Sequence, residues 1–226
     1  MVKQLRRSIK RRLPFALPIY LAIRHYLSKR KIRRILRERT EISIEVGAGN
    51  KRGQGEWVTI DMNDTCNVYW DLRKGIPFPD ESVKKIYSSH FLEHLSFGEA
   101  QHFLDECRRV LVPGGQFSIC VPNARIYLEA YVNGDLLDAG RFFGHQPAYN
   151  HTTRIDFVNY IAYMGGGHKY MFDEENLLYV LGARGFKHPR ARQFDPTLDL
   201  LERDYESIYA EAEKDEPARM AGPRGS

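Results

Sequence analysis

The chain has 226 residues, 42% of them hydrophobic and 12% aromatic, so it can bury one sizeable core but hardly two. Residues 1–40 hold 14 of the 34 Lys and Arg residues and one of the 29 acids, which leaves a net +13 there and −8 in the remainder. The three cysteines are widely spaced without a C-x-x-C pair, which disfavours a disulfide framework or a zinc ribbon and favours a reducing cytoplasm. The longest apolar run, residues 13–23, contains two prolines and is too short to span a bilayer.

The basic segment 1–40 predicts an amphipathic helical arm. Ile19, Ile23, Tyr26 and Leu27 share one helical face, and Lys and Arg residues surround it. Such a helix suits an anionic membrane surface, which would place the protein peripherally on the inner face of the membrane. Packing of the arm on its own domain or on a partner is the alternative. RNA binding ranks below both because the remainder of the chain is acidic and few aromatic residues interleave the arm charges.

From residue 42 onward, short apolar segments alternate with polar stretches. Segments 42–46, 58–60, 68–70, 85–88 and 116–121 predict strands, and 98–111 predicts a helix that Pro113-Gly114-Gly115 ends and turns. Helix 173–183 and strands 190–194 and 207–212 follow. Strands alternating with crossovers predict an α/β, doubly wound, mostly parallel sheet over residues 41–213.

Two segments lie outside this pattern. Residues 124–172 are rich in Tyr, Phe and His without clear periodicity, and we expect them to form an acceptor-binding insertion. Residues 214–226 are expected to be a disordered tail.

A glycine motif follows the first predicted strand. Gly47 and Gly49 permit a tight backbone turn beneath a nucleotide-like ligand, and Asp61 ends the next strand, where an acid can bind both ribose hydroxyls. The spacing misses the dinucleotide pattern G-x-G-x-x-G by one residue. Only 14 positions separate Gly47 from Asp61, against about 20 in a usual Rossmann unit, so the first crossover helix should be short or missing.

In this region the chain resembles class I S-adenosylmethionine-dependent methyltransferases of the type-11 group, above all predicted methyltransferases of surface-glycan gene clusters. The matching segments are IEVGAGN, WVTIDM, WDLRKGIPFPDESVKKIYSSHFLEHL, RRVLVPGG and ICVPN. The resemblance implies a Rossmann-like, seven-stranded sheet with an antiparallel last strand, and S-adenosyl-L-methionine as the cofactor. It covers most of the body but not the arm.

Residue by residue, the resemblance implies a cofactor site made of Glu45, Gly47 and Gly49 at the methionine part and Asp61 at the ribose. Asp71 would accept a hydrogen bond from the adenine amino group, with Leu72 supplying a backbone contact. Ser88, Ser89 and His90 would form the floor beneath the sulfonium.

The motif His90-x-x-Glu93-His94 places two imidazoles and a carboxylate on one helical face, a plausible half-site for a divalent metal. A similar E-x-x-E-H arrangement binds metal in small-RNA 2′-O-methyltransferases and in some quinone-biosynthesis methyltransferases. Here His90 replaces the first acid, so a divalent metal is not the favoured interpretation, and Glu93 and His94 are interpreted as residues of the helix start and the pocket wall.

Methyl transfer to a hydroxyl needs positioning and removal of the acceptor proton, for which a histidine is suited. His94 and His168 are the candidate bases, followed by His145 and His151.

The sequence therefore predicts an enzyme that O-methylates a glycan or lipid-linked saccharide at a membrane surface. The insertion aromatics would stack on sugar rings: Tyr127, Tyr131, Phe142, Phe143, Tyr149, Tyr160 and Tyr163. Methylation of RNA or a small metabolite is one alternative, and a non-enzymatic cofactor-binding scaffold of a membrane complex is another.

Overall fold

The computed structural model describes residues 16–50, 55–138 and 152–216. Its centre is one seven-stranded sheet in the order β3-β2-β1-β4-β5-β7-β6. The strands are β1 Ser43–Val46, β2 Val58–Asp61, β3 Val68–Tyr69, β4 Val83–Ser89, β5 Leu111–Pro122, β6 Lys187–Ala191 and β7 Ser207–Glu213. The first five are parallel, and β7 runs antiparallel to both of its neighbours. The predicted α/β architecture with an antiparallel last strand is confirmed.

Five α-helices are described around this sheet: α1 Ala16–Glu38, α2 Phe97–Val110, α3 Ala124–Asn133, α4 Arg154–Tyr163 and α5 Glu174–Ala183. Apolar side chains of α2 and α5, among them Phe103 and Leu177, form the main core with one face of the sheet. Ser96 caps α2 in a reciprocal capping box with Glu99. Asp173 caps α5 by accepting from the Asn176 N–H.

The opposite face of the sheet is partly covered by a polar loop. Arg192 and Asp199 form a buried ion pair at 2.6 Å. Around it, the Tyr87 hydroxyl donates to Asp199 and the Arg192 Nε donates to the Ser118 hydroxyl, both at 2.8 Å. Residues 47–50 and 55–57, the described parts of the β1–β2 crossover, are not helical. The loop at 192–199 covers part of this face of the sheet.

The structure corrects two predictions about strands. The predicted strand 190–194 begins three residues earlier, at Lys187, because β6 is an exposed edge strand whose residues do not alternate in burial. Pro113-Gly114-Gly115 does not separate α2 from the next strand but lies within β5. Leu111 pairs with Val83 and Gln116 with Lys85, so the extra residues form an irregularity in the strand, with Gly114 at a φ of 68°.

The insertion contains regular structure in its described parts. Helices α3 and α4 pack through a second small core that includes Tyr127, Phe157, Tyr160 and Ile161. Tyr127 and Tyr160 are buried, with their ring centroids 6.3 Å apart. The prediction that these two aromatics stack on a sugar is therefore wrong. Tyr131 and Tyr163 are exposed, whereas Phe142, Phe143 and Tyr149 lie outside the described residues.

Helix α1 has two different faces. Ile32 and Ile35 are buried in the main core, so this part of the basic segment packs on the domain. Ile19, Ile23, Tyr26 and Leu27 are all at least half exposed, at 62%, 53%, 60% and 50%. Within the described ranges, no helix is both long and apolar enough to cross a bilayer.

Ser28 joins α1 to the free edge of β3. Its hydroxyl donates to the Tyr69 carbonyl at 3.1 Å and accepts from the Tyr69 N–H at 3.0 Å. Among the described strands none pairs with that edge, so we expect Ser28→Ala to remove these two buried hydrogen bonds and to lower the free energy of unfolding by about 1–3 kcal/mol. Chemical denaturation checks this, with Ser82→Ala as the control because the Ser82 hydroxyl makes an exposed bond. Equal losses in the two variants would contradict the assigned role.

Candidate active site

The site lies where the sheet order reverses. Strands β1 and β4 are neighbours, and their crossovers lead to opposite halves of the sheet, through β2 and β5 respectively. In open α/β sheets, ligands bind at this switch point beyond the carboxyl ends of the strands. Gly47–Gly49 follow β1 there and His90–His94 follow β4, so the fold brings together the two predicted parts of the site.

The glycine turn after β1 is held in a defined shape. The Gly47 N–H donates to the Ile60 carbonyl, and the Gly49 N–H donates to the Asp61 carboxylate, both at 2.9 Å. Gly47 and Gly49 have φ of 72° and 60°, in the region that favours glycine. A Cβ at Gly47 would overlap the Phe91 ring, whereas a Cβ at Gly49 would meet nothing within 4 Å. The turn is thus closely packed on one side and open at Gly49.

Asp61 and Cys66 both contact this turn. Asp61 is the last residue of β2 and is partly exposed. The Cys66 thiol lies 3.4 Å from the Gly49 carbonyl oxygen, and burial, together with the neighbouring Asp61 charge, raises the pKa of that thiol to about 11. Cys66 therefore remains a neutral thiol that supports the turn.

The remaining predicted cofactor residues occupy different surroundings. Glu45 is buried within β1. Asp71 caps a short 3-10 helix, and its carboxylate accepts two hydrogen bonds from the Arg73 guanidinium at 2.9 Å. These bonds hold the pKa of Asp71 below its usual value, against the opposing effect of burial. Leu72 is buried in the main core, which leaves only its backbone for a ligand.

The three residues predicted to form the floor beneath the sulfonium, Ser88, Ser89 and His90, do not all face the same side of the sheet. Ser88 pairs with Val46 and Ile119 in the apolar layer, and its buried hydroxyl has no hydrogen-bond partner within the described part of the chain. Because successive strand residues alternate, Ser89 faces the other side. His90 has a φ of 50° and is held by the bond from its N–H to the Cys120 carbonyl and by contact of its Nε2 with the Ser207 hydroxyl at 2.8 Å.

Beyond β4, the structure brings Glu93, His94 and His168 together. One possible ligand atom from each lies within 4.8 Å of the others. His94 Nε2 is 3.7 Å from Glu93 Oε1, and the two imidazole centroids are 5.0 Å apart. The N–H groups of Lys169 and Tyr170 donate to the Glu93 carbonyl, which fixes the chain beside His168.

Burial dominates the electrostatics of this cluster. It raises the pKa of Glu93 to about 8, against an opposing backbone hydrogen bond. It also lowers the pKa of His168 to about 4, helped slightly by His94 and opposed by the bond to the Ile161 carbonyl. The side chain of His94 is 40% exposed, so of the two predicted bases His94 is the accessible one. His145 and His151 lie outside the described residues.

Next to the site, helix α1 contacts a loop in a way that the sequence does not predict. The Tyr20 hydroxyl donates to Asp64 at 2.7 Å, and Arg24 forms an ion pair with the same carboxylate at 3.0 Å. Asp64 lies in the loop that follows Asp61. The exposed half of α1 is thereby joined to the loop beside the proposed ribose position. Only tertiary packing brings these residues together.

A cavity of about 370 Å³ lies elsewhere, on the face that carries Ser118 and Arg192. Lys85, Asp195 and Glu211 also line it. It contains none of the predicted site residues. The predicted site residues therefore lie around the switch point and not around this cavity.

Comparison with known proteins shows what part of this chain is similar to. Residues 45–119, from β1 into β5, match the family model described as a methyltransferase domain. A probable S-adenosylmethionine-dependent methyltransferase from Mycolicibacterium smegmatis is 44% identical over 57 residues, which are 24% of this chain and 21% of that protein. The chain thus spans about a fifth of the length of this curated relative. The strand order and the glycine turn define a Rossmann-like fold, and residues 45–119 of it are similar to a methyltransferase domain.

Two solved structures are similar at low identity. A SAM-dependent methyltransferase from Archaeoglobus fulgidus has 16% identity and a TM-score of 0.48, covering 84% of this chain and 94% of that chain. The 1,6-didemethyltoxoflavin-N1-methyltransferase of Burkholderia thailandensis, solved with S-adenosylhomocysteine, has 16% identity and a TM-score of 0.48, covering 84% and 77%. The fold assignment rests on the strand order and not on these similarities.

Proposed function

We propose that this chain is an S-adenosylmethionine-dependent methyltransferase. The main support is the hydrogen bond from the Gly49 N–H to the Asp61 carboxylate. This bond lies at the switch point of a domain that matches methyltransferases. The space beside Gly49 is open, and the partly exposed Asp61 carboxylate is the type of group that accepts hydrogen bonds from the two hydroxyls of a ribose. The glycine spacing of the turn misses the dinucleotide pattern G-x-G-x-x-G by one residue, and S-adenosylmethionine has no pyrophosphate for such a turn to bind. The residues present fit S-adenosylmethionine better than a dinucleotide.

In this proposal, Glu45, Gly47 and Gly49 bind the methionine part, and Asp61 binds the ribose. Asp71 and the backbone of Leu72 contact the adenine, while Ser89 and His90 border the reacting centre. Bound S-adenosylmethionine supplies an activated methyl group. The protein orients an acceptor against it, excludes water and receives the acceptor proton. In the metal-free protein, His94 is the imidazole exposed enough to receive that proton.

Asp61→Ala should weaken binding of S-adenosylhomocysteine at least tenfold, about 1.4 kcal/mol, because it removes the ribose contact and releases the Gly49 turn. Titration calorimetry measures this. Asp80→Ala is the matched control, since the Asp80 side chain is 75% exposed and pairs with Arg109 away from the turn. Equal affinity in Asp61→Ala would overturn the ribose assignment, and tight NADH binding would overturn the class.

We propose a hydroxyl of a glycan or lipid-linked saccharide as the acceptor. Tyr131 and Tyr163 support this, since both are about half exposed on α3 and α4 and can stack on a sugar ring. Incubation of the protein and labelled S-adenosylmethionine with membrane-glycan extracts, total RNA and small-metabolite extracts tests the acceptor. Label in the glycan fraction is expected. Label confined to RNA or metabolites would favour that alternative, and cofactor binding without transfer to any fraction would favour the scaffold.

We also propose that α1 places the enzyme on an anionic membrane surface. Its exposed apolar face lies on a helix rich in Lys and Arg, a combination that suits the boundary between headgroups and acyl chains. The buried face, with Ile32 and Ile35, holds the domain next to that surface. A lipid-linked acceptor would then reach the site without leaving the membrane.

A further inference from the structure

We propose that Glu93, His94 and His168 form a binding site for a divalent first-row transition-metal ion. The first reason is the state of Glu93. Its side chain is 3% exposed, and apart from a contact with its own backbone, neither carboxylate oxygen has a hydrogen-bond partner among the residues that the structure describes. Buried carboxylates are normally paired with a charge, hydrogen-bonded or bound to a metal. Protonation would remove the charge of Glu93 but would leave its hydrogen bonds unmade.

The second reason is the orientation of the two imidazoles. His94 Nδ1 lies 2.8 Å from the Gly167 carbonyl oxygen, and His168 Nδ1 lies 2.7 Å from that of Ile161. A carbonyl oxygen only accepts, so each Nδ1 carries the proton. When such a ring is neutral, its lone pair is therefore on Nε2. Metal-binding histidines typically donate their other N–H to a carbonyl or carboxylate in this way.

The third reason is convergence. One ligand atom from each of the three side chains already lies within 4.8 Å of the others, so a small closure completes the site. Two imidazoles and one carboxylate suit divalent iron, cobalt, nickel or zinc rather than calcium or magnesium. Three protein ligands leave coordination positions open on the exposed side of His94. A bound cation would occupy the lone pair of His94, which would then act as a ligand and not as a base.

Cobalt titration of the full chain, stripped with EDTA and desalted, tests the site without any methylation assay. We expect one Co²⁺ per chain, with a visible absorption band that Zn²⁺ abolishes. Glu93→Gln and His168→Gln should each weaken Co²⁺ binding at least tenfold. His102→Gln, which changes an exposed histidine on α2, should bind as the wild type does.

Thermal melts of the stripped proteins check that the variants are folded. Because Glu93 and His168 are buried, His94→Gln at a half-exposed position provides a second test if either variant unfolds. Absence of the absorption band in the wild type, or unchanged Co²⁺ binding in folded variants of the three ligands, would overturn the proposal. Neither result bears on S-adenosylhomocysteine binding, so the metal site and the proposed function fail independently.

Discussion

Ile19→Glu/Ile23→Glu should nearly abolish sedimentation of the full-length protein with anionic vesicles. Both side chains are more than half exposed on α1, so the change removes apolar groups that would enter the lipid without emptying the core. Burial of one such side chain contributes about 1.5–3 kcal/mol, and the pair therefore contributes roughly 3–6 kcal/mol, or a factor of about 10²–10⁴ in affinity. Wild-type binding should also decrease with salt, because polybasic attraction is screened over about 8–10 Å.

Tyr179→Glu/Leu201→Glu is the matched control, since it adds the same charge at side chains that are 72% and 73% exposed outside α1. It should sediment almost as the wild type does. Deletion of residues 1–36 is a poorer test than the point variants, because it removes Ile32 and Ile35 from the core. If the α1 variant sediments like the wild type, the membrane proposal is wrong and the exposed face serves another purpose.

His94→Ala should lower methyl-transfer turnover by about 10²–10⁴, the usual contribution of a positioned acid or base. Affinity for S-adenosylhomocysteine should not change, because His94 is not among the residues assigned to the cofactor. His94 is half exposed beyond β4 and its Nδ1 bonds the Gly167 carbonyl, so its Nε2 is available to an acceptor proton or to a cation. Transfer to the glycan extract, with calorimetry in parallel, measures both quantities.

Chelation separates the two roles of His94. If the imidazole is a base, wild-type activity persists in EDTA and is lost in His94→Ala. If it is a metal ligand, EDTA abolishes wild-type activity and an added divalent ion restores it. His168 is buried, with a pKa lowered to about 4, which makes it a weak base at neutral pH. Full activity of both His94→Ala and His168→Ala in a chelated assay would show that neither histidine is catalytic and that positioning suffices.

Sequence patterns predicted much of the fold because the burial of a strand face and the capping of a helix depend on residues that are close together in the chain. Alternating or continuous apolar residues predicted β1, β2, β4 and β7 close to their observed bounds. The capping acid and the terminal glycine predicted α5. The pattern failed at β6, where an exposed edge strand has no buried face to produce alternation. It failed at Pro113-Gly114-Gly115 because pairing with β4 continues across the irregularity.

The sequence by itself determined the α/β class, the glycine turn followed by Asp61, and the apolar face of the basic helix, since each depends on residues near one another in the chain. Only the tertiary structure decided which side chains meet across long separations. It buried Tyr127 and Tyr160 in a core between α3 and α4, and it turned the Ser88 hydroxyl into the apolar layer. It also brought His168 to Glu93 and His94, about which local periodicity carries no information. The physical reason is that spacing along the chain indicates which face of an element is apolar, whereas the packing of elements against each other decides what that face contacts.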